Sequence, residues 1–292
     1  IFQTKLSEMK KMVEPLRRVT LGWWCCFFVL LFSINADAAI WYVKPTGNDA
    51  GAGDSWGQAF KTVQKARASA VSGDQIWVAA GTYFPDEGPG IPNDDRSVAF
   101  VMKNGVEILG GFPAAGSPSL AQRNWTANPT ILSGDIGTVG NDLDNSYHVI
   151  LNYENNLNAT AILDGFTITG GRADWVSGQN YRGGGMHNYA SSPSIRNCVF
   201  TGNYAYTGGG MYNYDASVTV NNCSFLDNTT VYSGAGIAFV LGASLVNNCV
   251  FSGNSSTDAG GGMFISETSA TTVTNCIFSG NFAILGGGIY NN

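Results

Sequence analysis

Four cysteines are the residues of this sequence whose type and spacing first suggest chemistry. Cys198, Cys223, Cys249 and Cys276 each follow an asparagine and recur at intervals of 25, 26 and 27 residues. A thiolate can bind a metal ion, act as a nucleophile or pair in a disulfide. Which of these applies depends on how the fold places one cysteine relative to the next.

The cysteines belong to a repeat that also fixes other residue types in aligned columns. A phenylalanine lies two positions after each cysteine, an asparagine lies five after, and an aliphatic residue lies three before. The glycine-rich part of each repeat adds a further column, made of Met186, Met211, Ile237, Met263 and Ile289. A repeat this short must stack on its neighbours to bury its apolar face. The repeats lack helical periodicity and a leucine skeleton, so we predict a parallel β-helix with three short strands per coil.

This stacking allows the cysteines to be interpreted. Equivalent side chains of successive coils point the same way about 4.8 Å apart, whereas the Cβ atoms of a disulfide prefer about 3.8 Å. A straight column does not converge on a zinc ion, and neither His148 nor His187 recurs with the repeat as a base for a nucleophile would. We therefore interpret the cysteines as small buried core residues. Disulfide pairing stays the alternative, because exported proteins often oxidise their thiols.

The remaining columns predict corners and outward faces. The asparagine before each cysteine suits a tight left-handed bend, and we expect Asn222 to be buried in a ladder of hydrogen-bonded amides. The glycine clusters predict a second corner. Tyr212, Phe264 and Tyr290 each follow an inward residue, so we expect them to face outward, where aromatic rings could bind sugars or proteins.

The N-terminus has the features of a secretory signal. Basic residues precede the apolar run at 21–32, and Ala36-Asp37-Ala38 forms a small-residue cleavage site. We therefore assign residues 1–38 to upstream residues plus a signal peptide, with an uncleaved membrane anchor as the alternative.

Two further segments complete the predicted organisation. Residues 39–75 are assigned to an N-terminal cap, in which Phe60, Val63, Ala66 and Ala70 share one face of a short helix. Residues 76–292 are assigned to the β-helix, with regular coils of about 26 residues from about position 160. The last repeat lacks a distinct cap, so we expect a C-terminally truncated stack and a missing anchor or sorting module.

Composition excludes several function classes. Only 12% of residues are charged, the net charge is −6, and neither Lys nor Arg occurs after Arg196. A nucleic-acid partner is therefore excluded, because no basic stripe is available to neutralise phosphates. The regular coils also lack a polybasic membrane-binding segment, and we expect no membrane span after the signal peptide.

Several phrases resemble a known family. "YVKPTG", "SWGQAF", "SGDQIWVAAGTYFP", "LGGFP", "QRNW", "TILSGDI", "DNSYHVI" and "LDGFTITGG", followed by repeated "NCxFxxN" and "GGGMYN", resemble secreted bacterial right-handed parallel β-helix proteins of the pectin-lyase-like superfamily. The repeats are also similar to those of chlamydial polymorphic outer-membrane proteins. The resemblance implies an all-β, single-stranded right-handed solenoid with a short N-terminal capping helix. It also implies a location that is secreted, extracellular or on the bacterial outer-membrane surface.

We expect a non-catalytic scaffold, such as an adhesin-like or passenger domain that binds glycans or host or matrix surface proteins. The alternative is a polysaccharide lyase or glycoside hydrolase acting on acidic polysaccharide, which would need converging carboxylates or calcium-bound acids with a basic residue. The acids of the regular coils occupy different repeat positions: Asp215, Asp227, Asp258 and Glu267. A site would have to come from Asp135, Asp142, Asp144, His148, Asp164, Arg172, Asp174, Arg182 and His187.

We interpret the polar residues of that segment as loop and turn formers. No catalytic, cofactor-binding or metal-ligating residue is therefore assigned, and no cofactor is expected. An ice- or calcium-binding surface ranks last, because neither a threonine array nor a regular aspartate repeat is present.

Overall fold

The computed structural model describes residues 38–174 and 178–292. The predicted signal peptide falls on residues that lie outside these ranges, apart from Ala38. The described chain forms a unit from Ala38 to Asn292. In its two described ranges no helix has the length and apolar character needed to cross a membrane.

Parallel strands build four sheets, named A to D here, that run along the stack of coils. Sheet A contains Ile40–Val43, Gln75–Ala79, Glu107–Phe112, Ile162–Asp164, Ser194–Arg196, Thr219–Asn221, Leu245–Asn247 and Thr272–Thr274. Sheet B contains Gly81–Tyr83, Thr130–Ser133, Thr167–Thr169, Val199–Thr201, Ser224–Leu226, Val250–Ser252 and Ile277–Ser279.

The other two sheets close each coil. Sheet C contains Ile150–Tyr153, Met186–Tyr189, Met211–Tyr214, Ile237–Val240, Met263–Ile265 and Ile289–Asn291. Sheet D contains Arg172–Ala173, Tyr204–Thr207, Thr229–Ser233 and Ser255–Ser256. A regular coil therefore passes through sheets A, B, D and C. The prediction of three strands per coil was wrong, because a regular coil has four. The additional strand is the one in sheet D, such as Tyr204–Thr207, which also pairs with the next coil.

The register between coils follows the repeat columns. Phe200 pairs with Phe225, Phe225 with Phe251, and Phe251 with Phe278. Their rings stack at centroid distances of 4.8, 4.9 and 4.7 Å. This column, with the inward aliphatic residues of sheet A and the methionines of sheet C, forms one continuous core. The predicted parallel β-helix is therefore confirmed.

The corner asparagines adopt the predicted left-handed conformation. Asn197, Asn222, Asn248 and Asn275 have φ values of 53°, 54°, 55° and 52°. Asn222 donates from Nδ2 to Asn197 Oδ1 at 2.6 Å, and Asn248 donates to Asn222 at 3.0 Å. The ladder exists, but Asn222 is exposed rather than buried. At this corner the backbone bends towards the core, so the asparagine side chain lies on the outside of the bend and points to solvent.

A second amide ladder lies inside the fold. Asn203, Asn228 and Asn254 are almost completely buried, and each amide donates to the next Oδ1 at 2.8–3.0 Å, ending on Asn281. Each Oδ1 also accepts a backbone N–H of the preceding coil, as Asn228 does from Asn203. These asparagines satisfy backbone groups that the corner between sheets B and D leaves unpaired.

The glycine clusters form the second predicted corner. Gly208 has a φ of 67°, a region that residues with a Cβ rarely adopt. A Cβ on Gly210 would lie 2.6 Å from the Gly236 carbonyl oxygen. The first glycine therefore supplies the turn, and the third supplies close contact between coils.

A short helix, α1 (Val63–Ser69), covers the first coil. The Thr62 side chain accepts a hydrogen bond from the Lys65 amide at its N-terminus. Val63, Ala66 and Ala70 are buried in the main core together with Phe60. The predicted apolar face is confirmed, and it covers the end of a core that would otherwise be open to water.

The cysteine column lies where the repeat analysis placed it. Cys198, Cys223 and Cys249 are buried, Cys276 is partly buried, and all four are free thiols. Each Sγ lies 3.1–3.3 Å from a carbonyl oxygen two residues earlier in the chain. Burial in the core confirms the interpretation of these residues as small apolar groups.

Candidate functional site

The outer face of sheet A carries different side chains along the stack. Inward residues such as Val220 and Val246 are fully buried, so their neighbours on the same strands face outward. Two outward rows result, one of Ile162, Ser194, Thr219, Leu245 and Thr272 and one of Asp164, Arg196, Asn221, Asn247 and Thr274.

Loops cover the first strands of this face. A small second core contains Trp56, Trp77, Leu109 and Phe112 outside the sheet. Trp77 and Phe112 stack at 4.6 Å, and Trp56 Nε1 donates to the Pro118 carbonyl at 2.9 Å. These contacts hold the loops against the sheet, so the N-terminal part of the face is closed to a ligand.

Four charged residues mark the boundary of the covered region, and we call Glu107, Arg123, Asp164 and Arg196 the charged cluster. Arg123 Nη2 lies 2.6 Å from Asp164 Oδ1, and both side chains are about nine-tenths buried. Arg196 lies between the two carboxylates, with Nε 3.3 Å from Asp164 Oδ2 and Nη2 3.6 Å from Glu107 Oε1. Two arginines therefore balance two carboxylates.

Beyond the charged cluster the face is open and forms a groove of about 570 Å³, the sheet A groove. Its lining combines one guanidinium with hydroxyl, amide and aliphatic side chains: Ala159, Ile162, Ser194, Arg196, Thr219, Asn221, Leu245, Asn247 and Thr274. Leu245 is 42% exposed. A groove that offers hydrogen-bonding groups beside apolar ones suits a ligand with both hydroxyl and C–H surfaces.

Hydrogen bonds between coils orient the amides of this groove. Asn247 donates from Nδ2 to Asn221 Oδ1 at 3.0 Å, and its own Oδ1 accepts from Thr274 and Asn275 at 2.9 Å. These bonds fix which end of each amide is free. Among the described residues, Asn221 Nδ2 has no protein acceptor, so this N–H group is available to a ligand.

The residues that the sequence singled out lie in four places and do not form one site. Asp164 lies in the charged cluster, and Asp142, Arg172 and Asp174 pair with one another on the far side of the coil. Arg172 lies 2.6 Å from Asp142 and 2.9 Å from Asp174, and Arg96 lies 2.8 Å from Asp174. Asp174 binds both Arg96 and Arg172, and this shared carboxylate fastens the loop before residue 100 to the solenoid.

Asp135 and Asp144 bond within their own loop. Asp135 accepts from the Gly140 amide at 3.0 Å, and Asp144 accepts from the Thr138 amide at 3.1 Å and from Asn141. The bond from the Thr138 amide lowers the pKa of the Asp144 carboxyl below its ordinary value. In residues 38–174 and 178–292 no three metal-ligating side chains group together in a way that would hold an ion.

The histidines form a separate pair on the outer face of sheet C with Arg182. Their ring centroids lie 5.3 Å apart, and each side chain is 1% exposed. Burial lowers the pKa of His148 to about 4. Burial, the neighbouring His148 and the charge of Arg182 hold the pKa of His187 well below its ordinary value. Both imidazoles are therefore neutral at pH 7.

Two acids of the regular coils have turn roles. Asp215 and Asp227 have φ values of 49° and 51°, in the left-handed region that aspartate tolerates at tight bends.

Most residues of the sheet A groove were not predicted from the sequence. Arg196, Asn221 and Asn247 each follow an inward aliphatic residue by one position, and this alternation was the signal that could have found them. Glu107 and Arg123 carried no such signal, because loops rather than the repeat place them.

With the geometry established, comparison with known proteins identifies the family. Residues 133–292, more than half of the chain, match the family model described as "Right handed beta helix region". The chain belongs to this family. No curated protein sequence is detectably similar to it.

Three solved structures resemble the fold. A rhamnogalacturonan lyase shares 14% identity over 84% of this chain and 74% of its own, with a TM-score of 0.41. A pectin methylesterase from Aspergillus niger shares 12% over 85% and 87%, with a TM-score of 0.34. One from Erwinia chrysanthemi shares 10% over 84% and 81%, with a TM-score of 0.33. At these values the similarity concerns the coil architecture and not the site.

Proposed function

We propose that this protein is a secreted or cell-surface β-helix scaffold that binds a glycan in the sheet A groove without cleaving it. The observation that carries the proposal is the lining of the groove, where oriented amides and hydroxyls alternate with Ile162 and Leu245. A sugar ring has hydroxyl edges and an apolar C–H face, which such a lining complements. Host or matrix surface proteins are the other class of partner that the scaffold could bind.

The charges near the groove favour an uncharged sugar. Among the described residues, Arg196 is the one cation in the lining, and it is shared between Asp164 and Glu107. An acidic polysaccharide would have to compete with both carboxylates for this guanidinium. A neutral glycan needs only the free hydrogen-bonding groups along the row from Arg196 to Thr274.

The arrangement of acids supports binding rather than turnover. Glycoside hydrolysis needs one carboxylic acid and one carboxylate on either side of the scissile bond, about 5–10 Å apart. Here Asp164 is held by Arg123, Arg196 and Asn197, so its carboxylate oxygens are occupied and not free to attack. His187 lies in sheet C, His148 lies two residues before another strand of that sheet, and neither lines the groove.

The alternative is a lyase or hydrolase for acidic polysaccharide. It is favoured by one observation, the position of Asp164, Glu107 and Arg196 at the end of the groove. An arginine beside carboxylates could act on a uronate if a ligand displaced the ion pairs.

One experiment separates the two functions. The full chain is titrated by calorimetry with neutral β-glucan, mannan and arabinan oligosaccharides and with pectate and alginate oligomers. The same mixtures are monitored for unsaturated uronate absorbance and reducing ends, with and without calcium. We expect saturable binding of a neutral glycan and no new ends. Product formation would overturn the scaffold and support the alternative.

Variants tie binding to the groove. Replacement L245A removes an exposed apolar side chain, and we expect affinity to fall about 5- to 10-fold. The matched control is L226A, which removes a leucine from the outer face of sheet B. Equal losses in both variants, or binding to matrix proteins with none to glycans, would contradict a glycan site in the sheet A groove.

A further inference from the structure

Residues 178–183, called the strap here, cover part of the outer face of sheet C. The Arg182 guanidinium lies 4.4 Å from the ring centroid of Tyr181 and 5.2 Å from that of Tyr212. Gly183 is the corner glycine of its coil, as Gly208 is of the next, and a Cβ there would lie 2.9 Å from the His187 Cα, so the strap runs directly into sheet C. Tyr212 was predicted to be exposed, and it is 3% exposed because the strap covers it.

Few backbone bonds fasten the strap to the solenoid. Gly183 N donates to the Thr207 carbonyl at 3.0 Å, and the Tyr181 carbonyl accepts from Tyr206 N at 2.9 Å and from Thr207 N at 3.4 Å. These three bonds go to the following coil. The side-chain bond from His148 Nδ1 to the Gly183 carbonyl, at 3.0 Å, joins the strap to the preceding coil. Local opening therefore requires far less than unfolding of the core.

Among the described residues, three of the four ring nitrogens of the histidines under the strap lack a hydrogen-bond partner. A carbonyl oxygen only accepts, so His148 Nδ1 carries the proton and its Nε2 is an acceptor. Within the described chain, that Nε2 and both ring nitrogens of His187 are buried without a partner. Buried polar atoms are rarely left this way, and each instance calls for a functional explanation.

The groups packed around the pair offer no counter-ion. His187 faces His148, Arg182 of the strap, Tyr153 at 6.2 Å and Tyr212 at 5.3 Å between ring centroids. Neither histidine forms an ion pair with a carboxylate in the part of the chain that the structure describes. A proton added to either ring would therefore place a buried charge beside a fixed guanidinium.

We propose that the strap is a pH-sensitive cover, which stays closed while His148 and His187 are neutral and is released in acid, uncovering Tyr212. The tyrosines around it then become one surface. Tyr153, Tyr189 and Tyr214 already stack in a column at 4.5 and 5.1 Å on the same face. This proposal is independent of the sheet A groove.

The direction follows from proton linkage. In the closed state burial depresses the pKa of both rings, to about 4 for His148, whereas a ring released to water titrates near its ordinary value of about 6.5. The open state therefore binds more protons between these values. The closed state is fully stable above about pH 6.5 and loses stability as the pH falls towards 4.

Hydrogen exchange of the full chain tests this proposal. Opening constants of the Gly183 and Tyr206 amides are measured at pH 7 and pH 5, corrected for intrinsic exchange rates. We expect a rise of about 20-fold if one histidine is linked and several hundredfold if both are. The amides of Ser224 and Val250, which bond to Cys198 and Cys223 in the core, report on global unfolding. Unfolding exposes the same histidines, so their opening constants also rise in acid, but they should stay far below those of Gly183 and Tyr206 at both pH values. No rise at Gly183 and Tyr206, or opening constants there that equal those of Ser224 and Val250 at both pH values, would overturn the proposal.

Variants identify the groups responsible. His187, Tyr212, Ala238 and Phe264 occupy equivalent outward positions in successive coils. His187→Phe therefore introduces a residue type that this position already accepts at Phe264. His148→Gln retains a donor for the Gly183 carbonyl without a titrating ring. We expect the double variant to show no pH-dependent opening and the single variant His187→Phe to keep about 20-fold. If the double variant does not fold, the single variant His187→Phe provides the test. An opening constant that rises in either variant as much as in the wild type would contradict the role of the histidines.

Discussion

Arg123 donates from Nη2 to Asp164 Oδ1 across 2.6 Å, and the same guanidinium binds the Asp164 and Gly110 carbonyls at 2.8 and 2.6 Å. Through these bonds a loop residue closes one end of the sheet A groove. Asp164 also accepts from Asn197 at 2.8 Å, so it terminates the exposed asparagine ladder. One carboxylate therefore joins the covered face, the open groove and the corner column.

Removal of this arginine should destabilise the fold strongly. Arg123→Met retains an apolar stem but leaves the buried Asp164 with Arg196 as its one cation, at 3.3 Å, and we expect the free energy of unfolding to fall by about 3 kcal/mol. Urea denaturation followed by circular dichroism measures the change. The control is Lys61→Met, which breaks an exposed ion pair with Glu87 at 3.2 Å and should cost at most about 1 kcal/mol. Similar losses in both variants would contradict a special role for the buried pair.

The two asparagine ladders should differ in their sensitivity to substitution. Asn228→Ala leaves the buried Phe200 carbonyl and Asn203 N–H without partners, and we expect a loss of about 3 kcal/mol. Asn222→Gly should cost less than about 1 kcal/mol, because glycine accepts the φ of 54° and the lost side chain is exposed. Thermal and urea denaturation of the two variants compare them. A larger loss for Asn222→Gly would show that the outer ladder is the important one.

Thiol labelling should follow position in the stack. Burial raises the pKa of the Cys223 thiol well above its ordinary value and raises that of Cys276 as well. A hydrogen bond with Cys223 lowers the pKa of the Cys249 thiol, but this side chain is 1% exposed, so a reagent cannot reach it. Although thiolates are the reactive species, access therefore decides, and we expect the native protein to label, of these four cysteines, only at Cys276, which is the least buried. Mass-spectrometric mapping after timed alkylation at pH 8 measures this, with urea-unfolded protein as the reference. Labels that stay absent from two cysteines after unfolding would instead reveal a disulfide.

Asp74 should make the N-terminal cap sensitive to acid. Burial alone would raise the pKa of its carboxyl, but hydrogen bonds from Val71 N, Trp41 Nε1 and Ala39 N lower it below the ordinary value. The folded form therefore binds its proton less readily than the unfolded form does. Its stabilisation is present above about pH 4 and is lost as the pH falls further.

Asp74→Asn tests this contribution. We expect the variant to lose about 1–2 kcal/mol at pH 7 and to show a smaller difference from the wild type at pH 3. Tryptophan fluorescence during urea denaturation reports the transition, since Trp41 contacts the carboxyl directly. A difference that is constant between pH 7 and pH 3 would contradict the role of the charged form.

The sequence by itself determined the repeated parts of this protein. The columns around Cys198 and Phe200 fixed the stacking register, and the asparagine at position 197 predicted a left-handed corner that the structure contains. These features depend on residues adjacent in the chain and on identical neighbours one coil away. Side-chain alternation and the conformational preferences of asparagine and glycine are therefore enough to place them.

Only the tertiary structure decided what lies on the outside of the coils. Arg123 meets Asp164 across 41 positions of sequence, and Arg96 meets Asp174 across 78. The strap buries Tyr212, although its alternation with Met211 predicted exposure. Such contacts depend on the path of irregular loops, which no periodic pattern encodes. The repeat therefore determines the core, whereas the loops that interrupt it determine which surfaces remain open to a ligand.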